Sequence, residues 1–151
     1  MTQTIFQTAT PTPVVDFSPT KQYPSFSGLI NQTLTVSALT AGQSNTITYA
    51  QVLGGIINHN TSSSAYTDTL PTAALLVPEI EGVEVGTTIR FLIRNTSAGA
   101  GTITVAVGTG GTSKGNTLTI PYLTQMEFLL VVTAVGTTPT YDLYPMGNQT
   151  F

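Results

Sequence analysis

An all-β fold, a single β-sandwich or jelly-roll-like domain of seven or eight antiparallel strands, is predicted by three observations. Threonine occurs 30 times among the 151 residues, and β-branched side chains, stiff at χ1, suit strands better than long helices. Fourteen Gly and nine Pro divide the chain into short segments, because both residues punctuate regular structure. From Leu34 onward apolar and polar residues alternate in runs that recur about every 10 to 15 residues, a spacing typical of sandwiches. The length fits one domain.

Each element follows from local chemistry. Residues 1–28 carry Pro11, Pro13, Pro19 and Pro24 among Ile5, Phe6, Val14, Val15, Phe17, Tyr23 and Phe26. Proline at that spacing forbids helix and central strand, so this segment is expected to be an extended N-terminal arm that lies on something apolar. Residues 29–151 are then the β domain. TLTVS is its first strand, with Leu34 and Val36 facing one way and Thr33, Thr35 and Ser37 the other. TAGQSN supplies a turn. In TITYAQVLGGIIN, Tyr49 to Leu53 suit one helical turn, Gly54 and Gly55 a break, and Ile56 and Ile57 a strand. HNTSSSAYTD is expected to be a polar loop. Thr72 caps a second short helix that Pro78 must end or bend. From Gly86 the chain reads as successive hairpins: TTIRFLIRN, TITVAV, NTLTI, QMEFLLVV and TYDLYP, joined by SAGAG, GTGGTSKG, a turn near Pro121, and GTTP. The continuous run EFLLVV beside alternating TITVAV suits two packed sheets.

Composition narrows the functional classes. Charged residues make up only 7% of the chain, against about 25% in an average domain. The four bases, Lys21, Arg90, Arg94 and Lys114, are scattered and outnumbered by seven acids, for a net charge of −3. No stripe tracks a phosphate backbone, so direct nucleic-acid binding is not expected. Zero Cys excludes disulfides, thiolate metal sites and thiol nucleophiles. No run approaches 18 uninterrupted apolar residues, and the first residues lack a basic, then apolar, secretory pattern, so no membrane partner is expected.

Motifs of catalysis are scarce. His59 stands between Asn58 and Asn60 in the expected loop, as a surface histidine without neighbouring catalytic partners. Glu79, Glu81 and Glu84 surround Gly82, but their spacing is not that of a regular calcium loop, and a solvated acidic loop is the expectation. Arg90 and Arg94, four apart on a strand, share one face, either pointing to solvent or pairing with Glu81 and Glu84 across a subunit interface. GTGGTSKG has Lys114 before Gly115, the reverse of a phosphate loop, and no helical pattern follows. The four N-x-[ST] matches, at Asn31, Asn60, Asn95 and Asn148, suit chance in a chain this rich in Asn and Thr. No catalytic residue, cofactor or metal is expected, and the chain is not expected to be an enzyme.

Two segments, TITYAQVLGGII with TDTLPTAALLV and VGTTIRFLIRNTSAGAGTITVAVGTGGT, together with the final strand pair, carry a resemblance. Over roughly residues 46–145, through Leu53, Gly54, Leu70, Pro71, Gly86, Phe91, Asn95 and Gly108, the chain resembles a small module of structural proteins in tailed bacteriophages and large DNA viruses. These include capsid decoration (cement), head-fibre and spike components. The resemblance implies a virion structural protein, made in the host cytoplasm, that assembles as a homotrimer. The leading expectation is a decoration protein on the outer capsid surface, its arm clamping the major capsid protein or a neighbouring subunit. A receptor- or glycan-binding fibre or spike head, with a site near Tyr66, Asn58 and Asn60, is the alternative. A hydrolase working through His59 or Glu127 is the third reading.

Overall fold

The computed structural model describes residues 34–115 and 118–151. The predicted arm residues Ile5, Phe6, Val14, Val15, Phe17, Tyr23 and Phe26, and the domain boundary after residue 28, lie outside the described residues. These form nine strands and two short helices: β1 (Thr35–Ala38), α1 (Tyr49–Gly54), β2 (Gly55–His59), β3 (Tyr66–Thr69), α2 (Ala73–Leu76), β4 (Thr88–Asn95), β5 (Ile103–Ala106), β6 (Gly111–Ser113), β7 (Thr119–Ile120), β8 (Thr124–Ala134) and β9 (Thr140–Thr150). The fold is all-β in two sheets, one of order β1-β2-β4-β8-β9-β6 and one of order β3-β5-β7. Among the described residues no helix is long and apolar enough to cross a membrane.

The pairing differs from the expected antiparallel series. β1 with β2, β2 with β4, β3 with β5 and β6 with β9 run parallel, and only β4 with β8, β5 with β7 and β8 with β9 run antiparallel. Parallel neighbours need a crossover rather than a tight turn, and α1 lies within the connection from β1 to β2. Of the expected hairpins, one forms, β8–β9 around the GTTP turn. SAGAG instead carries the chain from one sheet to the other, and GTGGTSKG contains β6 rather than a simple turn.

Local chemistry explains the helices. Thr48 and Gln51 form a capping box on α1: Thr48 Oγ1 accepts from the Gln51 N–H at 3.3 Å, while Gln51 Oε1 accepts from the Thr48 N–H at 2.8 Å. Two of the otherwise unbonded N-terminal donors are thereby satisfied. Gly55 ends the helix at φ +92°, where a side chain would be strained, and releases the chain into β2. α2 follows Thr72, whose side chain makes no capping bond, and tightens into a 3₁₀ turn over Val77–Glu79 at Pro78.

Inward-facing residues of both sheets join one core that includes Ile57, Phe91, Phe128 and Leu130 from the larger sheet and Ile103, Val105 and Ile120 from the smaller. Phe91 and Phe128 are directly opposed in the β4–β8 register and stack with centroids 5.3 Å apart, which adds about 0.5–1.5 kcal/mol to the burial itself. Tyr141 is fully buried and satisfies its polar end twice. Its hydroxyl donates to Pro71 O at 3.0 Å and accepts from the Gly108 N–H at 3.2 Å. Burial pushes this phenol above its ordinary value of about 10, with the Gly108 bond opposing the shift.

Candidate functional site

Three places concentrate features beyond packing: a buried polar cluster, a threonine-rimmed cleft, and the outward face of the larger sheet.

The polar cluster corrects the reading of His59 as a surface histidine: residues 60–65 do form the expected polar loop, exposed except at Thr61, but His59 and Asp68 lie on the strands that flank it and are buried. His59, Thr61, Asp68, Asn95 and Ser97 are all buried. His59 ends β2 and Asp68 lies within β3, with Nδ1 of the imidazole 2.7 Å from Asp68 Oδ2. The other carboxylate oxygen accepts from the backbone N–H of Asn45 at 3.1 Å. Asn95, opposite His59 in the β2–β4 register, donates through Nδ2 to Gly101 O at 3.0 Å and Ile120 O at 3.2 Å. Gly101 sits so close to Thr61 and Ser64 that a Cβ there would run into both. The period-2 pattern held the signal for this burial: His59 follows Ile57 by two residues, and Asp68 precedes Leu70 by two, so each shares the inward side of its strand.

An imidazole oriented by a carboxylate is half of a hydrolytic triad. Here both side chains are fully buried, and among the described residues Nε2 has no hydrogen-bond partner, hydroxyl or otherwise. The geometry instead ties together the Asn45 turn, β2 and β3, because a buried polar group stays favourable only when it is bonded.

A cleft of about 460 Å³ opens beside the N-terminus of α1, with Ile47, Leu70 and Val107 in its wall and Thr46, Thr72 and Thr109 among its hydroxyl-bearing residues. A second hollow of about 430 Å³ shares Thr72 and Thr109 with it and runs toward Pro139. Among the described residues, Tyr49 is the only titratable side chain lining either hollow.

The outward face carries the predicted arginines. Arg90 and Arg94 share that face of β4, as their spacing required. Arg90 donates to Glu127 Oε1 at 3.1 Å across the β4–β8 pair, with both side chains exposed. The Arg94 guanidinium lies 4.3 Å from the centroid of the Phe151 ring. Glu81 and Glu84 stand in the exposed loop before β4, and the chain itself makes no ion pair between them and either arginine among the described residues. Glu79, Glu81 and Glu84 do not converge: among the described residues no three His, Cys, Asp or Glu side chains gather in a metal-holding group. Tyr66 packs against the His59 ring at 6.0 Å, whereas Asn58 belongs to the outward face and Asn60 accepts from the Ser62 N–H, so these three do not form one surface.

Apolar residues interrupt the polar alternation of that outward face. Val36 opposes Ile56, Ile56 opposes Leu92, and Leu129 opposes Tyr144. Leu92 and Leu129 are diagonal neighbours across β4 and β8. The sequence pattern predicted strands here, but the continuity of this band depends on register between non-consecutive strands and was not visible in the linear sequence. Comparison with protein-family models, curated proteins and solved structures finds no match.

Proposed function

We propose that this chain is a non-catalytic virion structural protein, a capsid decoration (cement) protein with a sandwich or jelly-roll-like domain. It would act as a homotrimer bound at junctions of the major capsid protein on the outer capsid surface. The observation that carries this reading is the outward sheet face, where Val36, Ile56, Leu92, Leu129 and Tyr144 stand in positions that a water-facing sheet fills with polar residues. A chain with only 7% charged residues suits burial in an assembly, since hydroxyl and amide groups that find partners cost little to desolvate, whereas a lone charge costs several kcal/mol.

In this reading the contribution is mechanical. Added buried area at capsid junctions resists outward pressure on the shell, and residues 1–28 extend the contact. Arg90 and Arg94 remain candidates for pairing with Glu81 and Glu84 of a neighbouring subunit. Native mass measurement of the full chain, alone and with purified capsids, tests the reading. The expected result is saturable binding to capsids, with occupancy lowered by deletion of residues 1–28. Absence of capsid binding together with glycan-array binding would replace it with the receptor-binding alternative.

A further inference from the structure

We infer that the outward face of the six-stranded sheet is the surface on which a second copy of this chain docks, centred on the band from Val36 through Ile56, Leu92 and Leu129 to Tyr144. This deepens the reading of the chain as a self-assembling subunit and rests on it. The band crosses five strands, about 19 Å at the usual ~4.8 Å spacing. Its ends are open: Val36 is 60% exposed on the edge strand β1 and Tyr144 is 37% exposed on β9.

Area and charge favour another copy as the occupant. Four outward positions along β4, from Thr88 to Arg94, span about 20 Å, so the face projects roughly 400 Å². Tyr122, Leu123 and Phe151 are exposed at the adjoining corner, where the Phe151 N–H donates to Leu123 O at 3.4 Å. A large aromatic side chain buries about 150–250 Å² when wholly covered, and Tyr122 and Phe151 are 46% and 47% exposed, so this corner brings the surface to roughly 600 Å² per partner, the lower end of the range for a stable protein interface.

The same face bears both signs of charge, Arg90 and Arg94 beside Glu127, together with the amides of Gln125 and Gln149. An anionic polymer or membrane would leave Glu127 facing like charge, and the net charge of −3 opposes its approach. A second copy offers the same sparse mixture of charge, amide and apolar surface.

The test uses the full chain and two outward substitutions, Val36→Lys and Leu92→Lys, followed by sedimentation and native mass measurement over a range of concentrations. Val36→Lys lies on an exposed edge strand and keeps the test valid if Leu92→Lys fails to fold, with circular dichroism as the check. Expected is an oligomeric wild type whose dissociation constant rises about tenfold or more in each folded variant, equivalent to about 1.4 kcal/mol per tenfold. A monomeric wild type, or an oligomer that both folded variants leave unchanged, overturns the inference. Capsid binding is scored separately. An unchanged oligomer with capsid binding retained refutes this face alone, whereas a weakened oligomer with no capsid binding in any protein refutes the decoration reading alone.

Discussion

Residues 59–68 and the acidic segment 79–86 both lie between apolar runs, and sequence reading treats the first as a polar loop and the second as a solvated one. The first is exposed along most of its length but is braced inside at three points. His59 and Asp68 are buried there and bonded to each other, Asp68 also to Asn45, and the buried Thr61 donates to Asn95 Oδ1 at 3.5 Å. The second is open to solvent, with Glu79, Glu81 and Glu84 exposed and its shape set by the backbone: the Glu84 N–H donates to Thr87 Oγ1 at 2.9 Å and the Gly86 N–H to Val132 O at 2.8 Å. The difference teaches that polarity alone does not decide burial. What decides it is whether distant partners exist for most of the donors and acceptors that burial would cover.

The sharpest way to break this comparison is Asp68→Ala. Removing the carboxylate leaves the buried His59 Nδ1 and the part-buried Asn45 N–H without their partner, and each buried polar group left unsatisfied costs about 1–3 kcal/mol. Denaturant unfolding followed by circular dichroism measures it. Asp68→Asn retains an acceptor for Asn45 and is expected to cost distinctly less. Equal, small losses in both variants would mean that the brace is not a source of stability.

Gly101→Ala probes the same brace from its other side. A Cβ at this position meets the Ser64 backbone as well as Thr61, and backbone yields less readily than a side-chain tip. Overpacking typically costs about 1–3 kcal/mol, and the upper end, about 3, is expected in the same unfolding assay. Gly82→Ala, in the solvated segment, has open space around the added methyl but a φ of +63°. Its cost, about 1 kcal/mol, comes from backbone conformation alone.

Tyr141→Phe sharpens the rule at a third buried polar group. The variant keeps the ring packing but leaves Pro71 O and the Gly108 N–H without their partner, at about 2 kcal/mol. The phenol's raised value also sets a sign. Below about pH 10 both states hold the proton and this contribution is complete. Above it the unfolded chain ionises first, so stability falls as pH rises through the folded value. Unfolding midpoints should therefore decline as pH rises above about 10, and the decline should be shallower in Tyr141→Phe.

These contrasts show what the linear sequence contained. The α1 turn at Tyr49, its end at Gly54–Gly55, the Pro78 break and the buried run of β8 were legible because each depends on residues within one or two turns of chain. Strand pairing was not. Glycine-rich SAGAG looks like a hairpin turn, yet Gly99 and Gly101 are small because Ser63 and Thr61 press against them, a contact made by a segment over 30 residues away. The burial of His59 was legible in principle from its two-residue offset to Ile57. The outward apolar band was not, since it joins β1, β2, β4, β8 and β9 only after the parallel crossovers have set their order.

The smallest effects belong to the solvated acids. Glu81→Gln and Glu84→Gln remove charge from side chains that make no ion pair within the chain among the described residues, and surface changes of this kind stay within about 0.5 kcal/mol. Thr87→Val, by contrast, deletes the hydroxyl that accepts from the Glu84 N–H and is expected to cost about 1 kcal/mol, because the loop is held through that oxygen rather than through its carboxylates. Thermal unfolding of the three variants side by side measures the difference. If the glutamine variants lost as much as Thr87→Val, the acids would be structural after all, and segment 79–86 would resemble the braced segment 59–68 instead of contrasting with it.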